Sequence, residues 1–144
     1  MKAAAILALA LLLCACGVSP QPIKVGDICE TCKKQITDVK FAGEAITKGG
    51  AVLKFRTPEC LAAYTRTNSD FQAKFVTDYN TNRMIRPESA TYVRTVLDQN
   101  TREVTYAAFS QVGEAVKFAK DKMSSPVDWL AIQRMAAEKV KKTN

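Results

Sequence analysis

Between Phe41 and Thr67 the sequence spells out a complete supersecondary unit, and little else in the chain constrains the fold as tightly. Phe41-Ala-Gly-Glu-Ala-Ile-Thr47 and Ala51-Val-Leu-Lys-Phe55 are strand-like runs on either side of Lys48-Gly49-Gly50, the composition of a hairpin. Thr57-Pro58-Glu59 follows with the marks of a helix start. Thr57 can cap free backbone N–H groups, Pro58 suits the first turn, and Glu59 complements the positive end of the helix dipole. The helix should run roughly from Pro58 to Thr67, with Cys60 in its first turn. A hairpin feeding straight into a helix specifies an α+β fold.

The remainder repeats this grammar. Ala73-Lys-Phe-Val-Thr-Asp-Tyr79 alternates as a strand, Asn80-Thr-Asn82 is a turn, and Pro87 to Ser89 is a break. Thr91-Tyr-Val-Arg-Thr-Val96 and Glu103-Val-Thr-Tyr-Ala-Ala-Phe109 form a second strand pair around Asp98-Gln-Asn100. Ser110 is placed to cap a helix of roughly Gln111 to Lys122, whose stripe is Val112, Ala115, Val116 and Ala119. After Ser124-Ser125-Pro126, a last amphipathic helix from about Val127 to Lys141 offers Trp129, Leu130, Ile132, Met135, Ala136 and Val140 as an inner face. Leu53 to Tyr64 is echoed by Ala107 to Phe118, and in that echo Glu114 stands where Cys60 stands.

The first residues speak to compartment. Lys2, the apolar run Ala3 to Leu13 and the small Ala15 before Cys16 read as a lipoprotein signal peptide over residues 1–15, with Cys16 the lipidated first residue of the mature chain. Ordinary secretion with cleavage nearby is the competing reading. The apolar run is too short to span a bilayer. Residues 16–28, with Ser19-Pro20-Gln21-Pro22, read as a short extended tether. The expected location is the bacterial cell envelope, facing out of the cytoplasm and anchored to a membrane by the lipid.

The five cysteines then reduce to three: Cys14 is cleaved away, Cys16 carries lipid, and Cys29, Cys32 and Cys60 remain. The chain contains no histidine, so any tight soft-metal or redox site must be built from these sulfurs. Cys-x-x-Cys alone serves both metal knuckles and thiol-disulfide enzymes; here no βαβ unit follows it, which disfavours the thioredoxin arrangement. A closed zinc site takes four ligands, so zinc would need a carboxylate such as Glu59 or Asp27. Cu(I) is satisfied by two or three soft sulfurs. Cys60, at a helix N-terminus, is expected to favour the thiolate, although a small core hydrophobe beside Leu61 and Tyr64 is the plain alternative. Met84 is a remote thioether candidate, while Met123 and Met135 suit core packing. The net charge of +7 is spread along the chain with no aromatic-interleaved basic block, which argues against nucleic acid and leaves lipid headgroups or an acidic protein as contacts.

These residues carry a family resemblance. Cys29-Glu-Thr-Cys32, Phe41-Ala-Gly, Lys54-Phe-Arg-Thr-Pro-Glu-Cys60, Val76-Thr-Asp-Tyr-Asn-Thr81, Ala90-Thr-Tyr-Val93 and Ala108-Phe109 resemble, in order and spacing, the NosL family. These are lipoproteins associated with assembly of the copper centre of nitrous oxide reductase. The resemblance implies two treble-clef-like ββαβ halves within residues 29–126, about 29–86 and 87–126, followed by a C-terminal helix and basic tail over 127–144. It implies a non-enzymatic Cu(I)-binding accessory role with a copper enzyme or another metal-trafficking protein as partner, and Cys29, Cys32 and Cys60 as ligands. The chain departs from the family at two places. Lys33-Lys34 stands where the family commonly has Gly-Met, and Arg102 falls where the family's Thr-Pro-Met-Gly segment has methionine. The alternative is a structural or protein-interaction lipoprotein with a Cys29–Cys32 disulfide or a zinc knuckle.

Overall fold

The structure, a computed structural model, describes residues 17–143. The signal peptide and Cys16 lie outside the described residues. The chain forms β1 (Gly43–Thr47), β2 (Val52–Phe55), α1 (Pro58–Thr67), β3 (Phe71–Thr77), β4 (Met84–Ile85), β5 (Thr91–Asp98), β6 (Glu103–Phe109), α2 (Val112–Asp121) and α3 (Trp129–Thr143). One antiparallel sheet has the order β2-β1-β3-β4, and β5 and β6 pair as a second. The fold is mixed α+β with a C-terminal helix, as the sequence implies.

The first hairpin turns at Gly50, whose φ of 86° only glycine adopts without strain. Across it, Gly50 N–H donates to the Thr47 carbonyl at 2.9 Å and Ala51 N–H to Thr47 Oγ1 at 3.0 Å. Thr57 caps α1 as expected, accepting from Cys60 N–H at 3.2 Å. α1 lies close on the sheet because Gly43 has no side chain: a Cβ there would meet the Phe75 carbonyl oxygen at 3.0 Å and Leu61 Cδ2 at 3.2 Å.

The first half is a full ββαβ unit, since β3 returns beside β1. In the second half, the strand that should follow α2 shrinks to one bridge: Tyr92 and Val127 exchange N–H···O bonds of 2.8 Å in both directions. The two sheets meet where Tyr79 N–H donates to the Ala108 carbonyl at 2.8 Å. The main core cluster runs across both halves, taking Phe55, Leu61 and Val76 from the first, Tyr92 and Ala108 from the second, and Trp129, Ile132 and Ala136 from α3.

Several expectations need correction. The run from Phe41 begins as a one-turn 3-10 helix, Val39–Phe41, and β1 starts only at Gly43. Ser110 does not cap α2: its N–H donates to Asp78 Oδ2 at 2.7 Å, and Gln111 occupies the cap position without a side-chain bond. On α2 the buried row is Ala115 and Ala119 with Phe118 packed beside it, while Val112 and Val116, one i,i+4 row around the helix, face out. Leu130 also faces out, because Trp129, Ile132 and Ala136 already fill the inner row of α3. Val140, assigned to the same face, has no described side chain. Met123 is 97% exposed at the end of α2 rather than packed in the core.

Residues 17–28 lie against the domain. Both carboxylate oxygens of Glu44, which is fully buried on β1, accept from Gln21 N–H, at 2.9 and 3.1 Å. Lys54 Nζ donates to the Pro22 carbonyl at 3.1 Å and to Asp27 Oδ2 at 2.7 Å. Val18 packs on Ile46, Ala73 and Phe75.

Candidate metal centre

Cys29 and Cys32 sit on a tight backbone knuckle. Cys29 N–H donates to the Lys34 carbonyl at 2.9 Å, Lys33 N–H donates back to the Cys29 carbonyl at 3.0 Å, and Gly26 and Ile36 close the base. Lys33 adopts φ 58°, the left-handed turn that reverses the chain after Cys32. The knuckle is fastened to the hairpin and helix beside it: Glu30 N–H donates to the Lys54 carbonyl at 2.8 Å, and Thr31 Oγ1 to the Cys60 carbonyl at 2.7 Å. Cys60, third residue of α1, thereby faces the knuckle.

All three cysteines are free thiols, and their sulfurs lie within 4.8 Å of one another. An ion about 2.3 Å from each sulfur would need the side chains to close by less than about 1 Å. Cys29 is fully buried; Cys32 and Cys60 are half-buried and border a cavity of about 600 Å³ between the knuckle, α1, β6 and α3.

The proton distribution differs from the expectation for Cys60. The Cys60 thiol donates to the Cys29 sulfur, and this bond, against the cost of burial and aided by N–H groups of Cys32 and Arg56, lowers the Cys29 thiol to about 5. Serving as donor, and being buried, pushes Cys60 well above the usual thiol range. Ionisation is therefore favoured at Cys29 over Cys60.

The carboxylates considered as a fourth ligand are engaged elsewhere. Asp27 pairs with Lys54 at 2.7 Å. Glu59 is buried and accepts from Thr105 Oγ1 at 2.9 Å, and its burial holds the carboxyl above its ordinary range. Met84 Sδ accepts from Thr77 Oγ1 at 3.3 Å and Met135 Sδ from Tyr106 OH at 3.0 Å, so neither belongs to the thiol group. Among the described residues the group is three sulfurs and nothing more. Glu114 is the third residue of α2, as Cys60 is of α1, and it accepts from Asn80 Nδ2 at 3.1 Å; the second half thus has a carboxylate at the thiol position.

Sequence reasoning missed one participant of the site. Arg56 lines the cavity beside Cys32 and Cys60, only 6% exposed, with both Nη atoms on the Glu103 carboxylate. Its place between Phe55 and the Thr-Pro-Glu-Cys helix start was the available signal; the partner, far along the chain in β6, had none.

With this geometry in hand, comparison with solved structures is informative. The crystal structure of the copper chaperone NosL from Shewanella denitrificans matches with a TM-score of 0.63 at 18% identity, over 76% of this chain and 92% of that one. The chain has the NosL-like fold. No protein-family model matches the sequence, and no curated protein is similar to it. The NosL-like fold here carries its three thiols together, with Lys34 on the cavity wall and Arg102 at φ 55° in the β5–β6 turn at the positions where the resemblance implied methionines.

Proposed function

We propose that the protein is a lipid-anchored, extracytoplasmic accessory protein that holds Cu(I) through Cys29, Cys32 and Cys60 and serves maturation of a copper enzyme of the nitrous oxide reductase type. The observation that carries this reading is the convergence of three free sulfurs, from a knuckle and a helix N-terminus, within 4.8 Å in a NosL-like fold. The donor set favours Cu(I) over Zn(II): three soft ligands satisfy the monovalent ion, whereas a closed zinc site takes a fourth that the neighbouring carboxylates, bonded elsewhere, do not supply. The protein binds and transfers the ion without catalysing a reaction. Cys32 and Cys60, which border the cavity, are the sulfurs an acceptor's ligand reaches first, while Cys29 stays behind them as the preformed thiolate.

Competition titration with a coloured Cu(I) chelator, under anaerobic reducing conditions, tests the ligand set. Cys60→Ser should weaken Cu(I) binding markedly; equal affinity in wild type and variant would make Cys60 a core residue and favour a structural role. Native mass spectrometry separates bound copper from zinc. The lipid anchor is tested independently by Cys16→Ser, which should release the protein from membrane fractions.

A further inference from the structure

The three sulfurs specify a soft ion, but softness alone does not separate monovalent from divalent ions of the same electron count. Charge does. A monovalent ion among three thiolates leaves a complex with two negative charges, a divalent ion leaves one, and a fixed cation nearby attracts the first more strongly. Arg56 is such a cation. It is buried on the wall of the cavity that Cys32 and Cys60 border, its backbone N–H bonds the Cys29 sulfur, and a guanidinium does not lose its proton in a protein. Its Nη atoms are held by Glu103, yet its Nε–H is buried with no hydrogen-bond partner. The guanidinium's pairing is thus incomplete at Nε.

Other charges on the cavity wall do not reverse this field. Lys34 adds to it, Lys139 is also cationic, Glu103 is committed to Arg56, and Glu59 is bonded to Thr105 in a buried setting that disfavours its ionised form. We infer that Arg56 makes the three-sulfur site selective for monovalent over divalent soft ions, and that Glu103 sets how much of the guanidinium charge the bound ion feels. The inference rests on the metal-binding reading above and extends it to the class of ion the site accepts.

Ag(I) and Cd(II) are suitable probes, being soft, of equal electron count and different in charge. Their affinities for the purified protein are measured by competition titration, with a non-thiol reductant, and expressed as a ratio. At an effective dielectric of ~20, one unit of charge within about 12 Å of the ion corresponds to roughly a tenfold or greater change in that ratio. Arg56→Gln should therefore lower the Ag(I)-to-Cd(II) ratio by roughly tenfold, and Arg56→Lys, which keeps the charge, should largely preserve it. Glu103→Gln, on a half-exposed residue, should move it the other way by unmasking the guanidinium. A role confined to holding the fold would shift both affinities together and leave the ratio unchanged. An unchanged ratio, or Arg56→Gln and Glu103→Gln moving it in the same direction, overturns the inference while leaving the metal site intact. A wild type that holds neither ion overturns both.

Discussion

Cys60→Ala removes the thiol that donates to Cys29, and its consequence can be worked through as a change in ionisation. The Cys29 thiol is lowered from 9.0 to about 5 chiefly by that bond. At pH 7 the wild-type group is then largely thiolate. Were the whole shift lost, the group would be almost wholly thiol at pH 7; the N–H groups of Cys32 and Arg56 remain, so the variant should hold less thiolate than the wild type without losing all of it. Stability follows with a definite sign. A depressed Cys29 stabilises the apo protein fully above the unfolded thiol range, and that contribution is lost as pH falls toward 5. A raised Cys60 stabilises below the unfolded range, and its contribution is lost as pH rises through its elevated folded value. Apo stability should thus climb from pH 5 towards 9 and decline beyond, whereas the Cys60→Ala variant should show a weaker climb and no thiol-linked decline from position 60. Ultraviolet thiolate absorbance against pH, with thermal unfolding in the same buffers, measures both. A wild type with no thiolate inflection below pH 7, or a variant that retains the inflection near 5, would refute the shared-proton account.

Lys34→Met should strengthen Cu(I) binding by placing a thioether on the cavity wall beside Cys32; an unchanged affinity in the chelator competition would show that the new sulfur does not reach the ion. Ile132→Ala, at a fully buried position of α3, should cost about 2–5 kcal/mol in denaturant unfolding, and a loss below about 1 kcal/mol would show that α3 is not part of the shared core. Since that core is built mainly from aliphatic and aromatic side chains, with Cys29 one member among twelve, the metal-free protein should give the circular dichroism of a folded chain and gain melting temperature when Cu(I) binds. Glu44→Ala should cost about 1–3 kcal/mol and speed amide exchange at Gln21, and exchange unchanged there would mean the clamp does not hold in solution.

Local rules made much of the fold readable. Gly49-Gly50 announced the first hairpin, Thr57-Pro58-Glu59 announced α1, and β6 was read to its ends because the Asp98-Gln-Asn100 turn precedes it and Ser110 closes it. β4 escaped because Met84-Ile85 is too short to show a period and lies between a turn and Pro87. The outward rows of α2 and α3 escaped because valine and leucine look the same on either face, and packing against the sheet decides between them. At the site, counting sulfurs identified the three cysteines, but the direction of the Cys60 proton depended on how its side chain meets Cys29, which helix position alone does not encode. Arg56–Glu103 and Glu44–Gln21 join residues distant in sequence, and no local pattern marks such pairs. A glutamate within a strand reads as solvent-facing, yet Glu44 is wholly enclosed.

That enclosed glutamate has a geometric consequence for a chain anchored at Cys16. The leash between a lipid and Gln21, where the segment is hydrogen-bonded to the domain, fully extended spans roughly 17 Å, and Val18 packs on the sheet before that point. The domain would then ride within roughly 17 Å of the bilayer surface rather than sweep the wider hemisphere that a free segment reaching to the knuckle would permit. With Gln21 held on β1, such a lipid would limit how far the thiol cavity rises from the bilayer, and an acceptor embedded in the same membrane would search a thin layer instead of a volume.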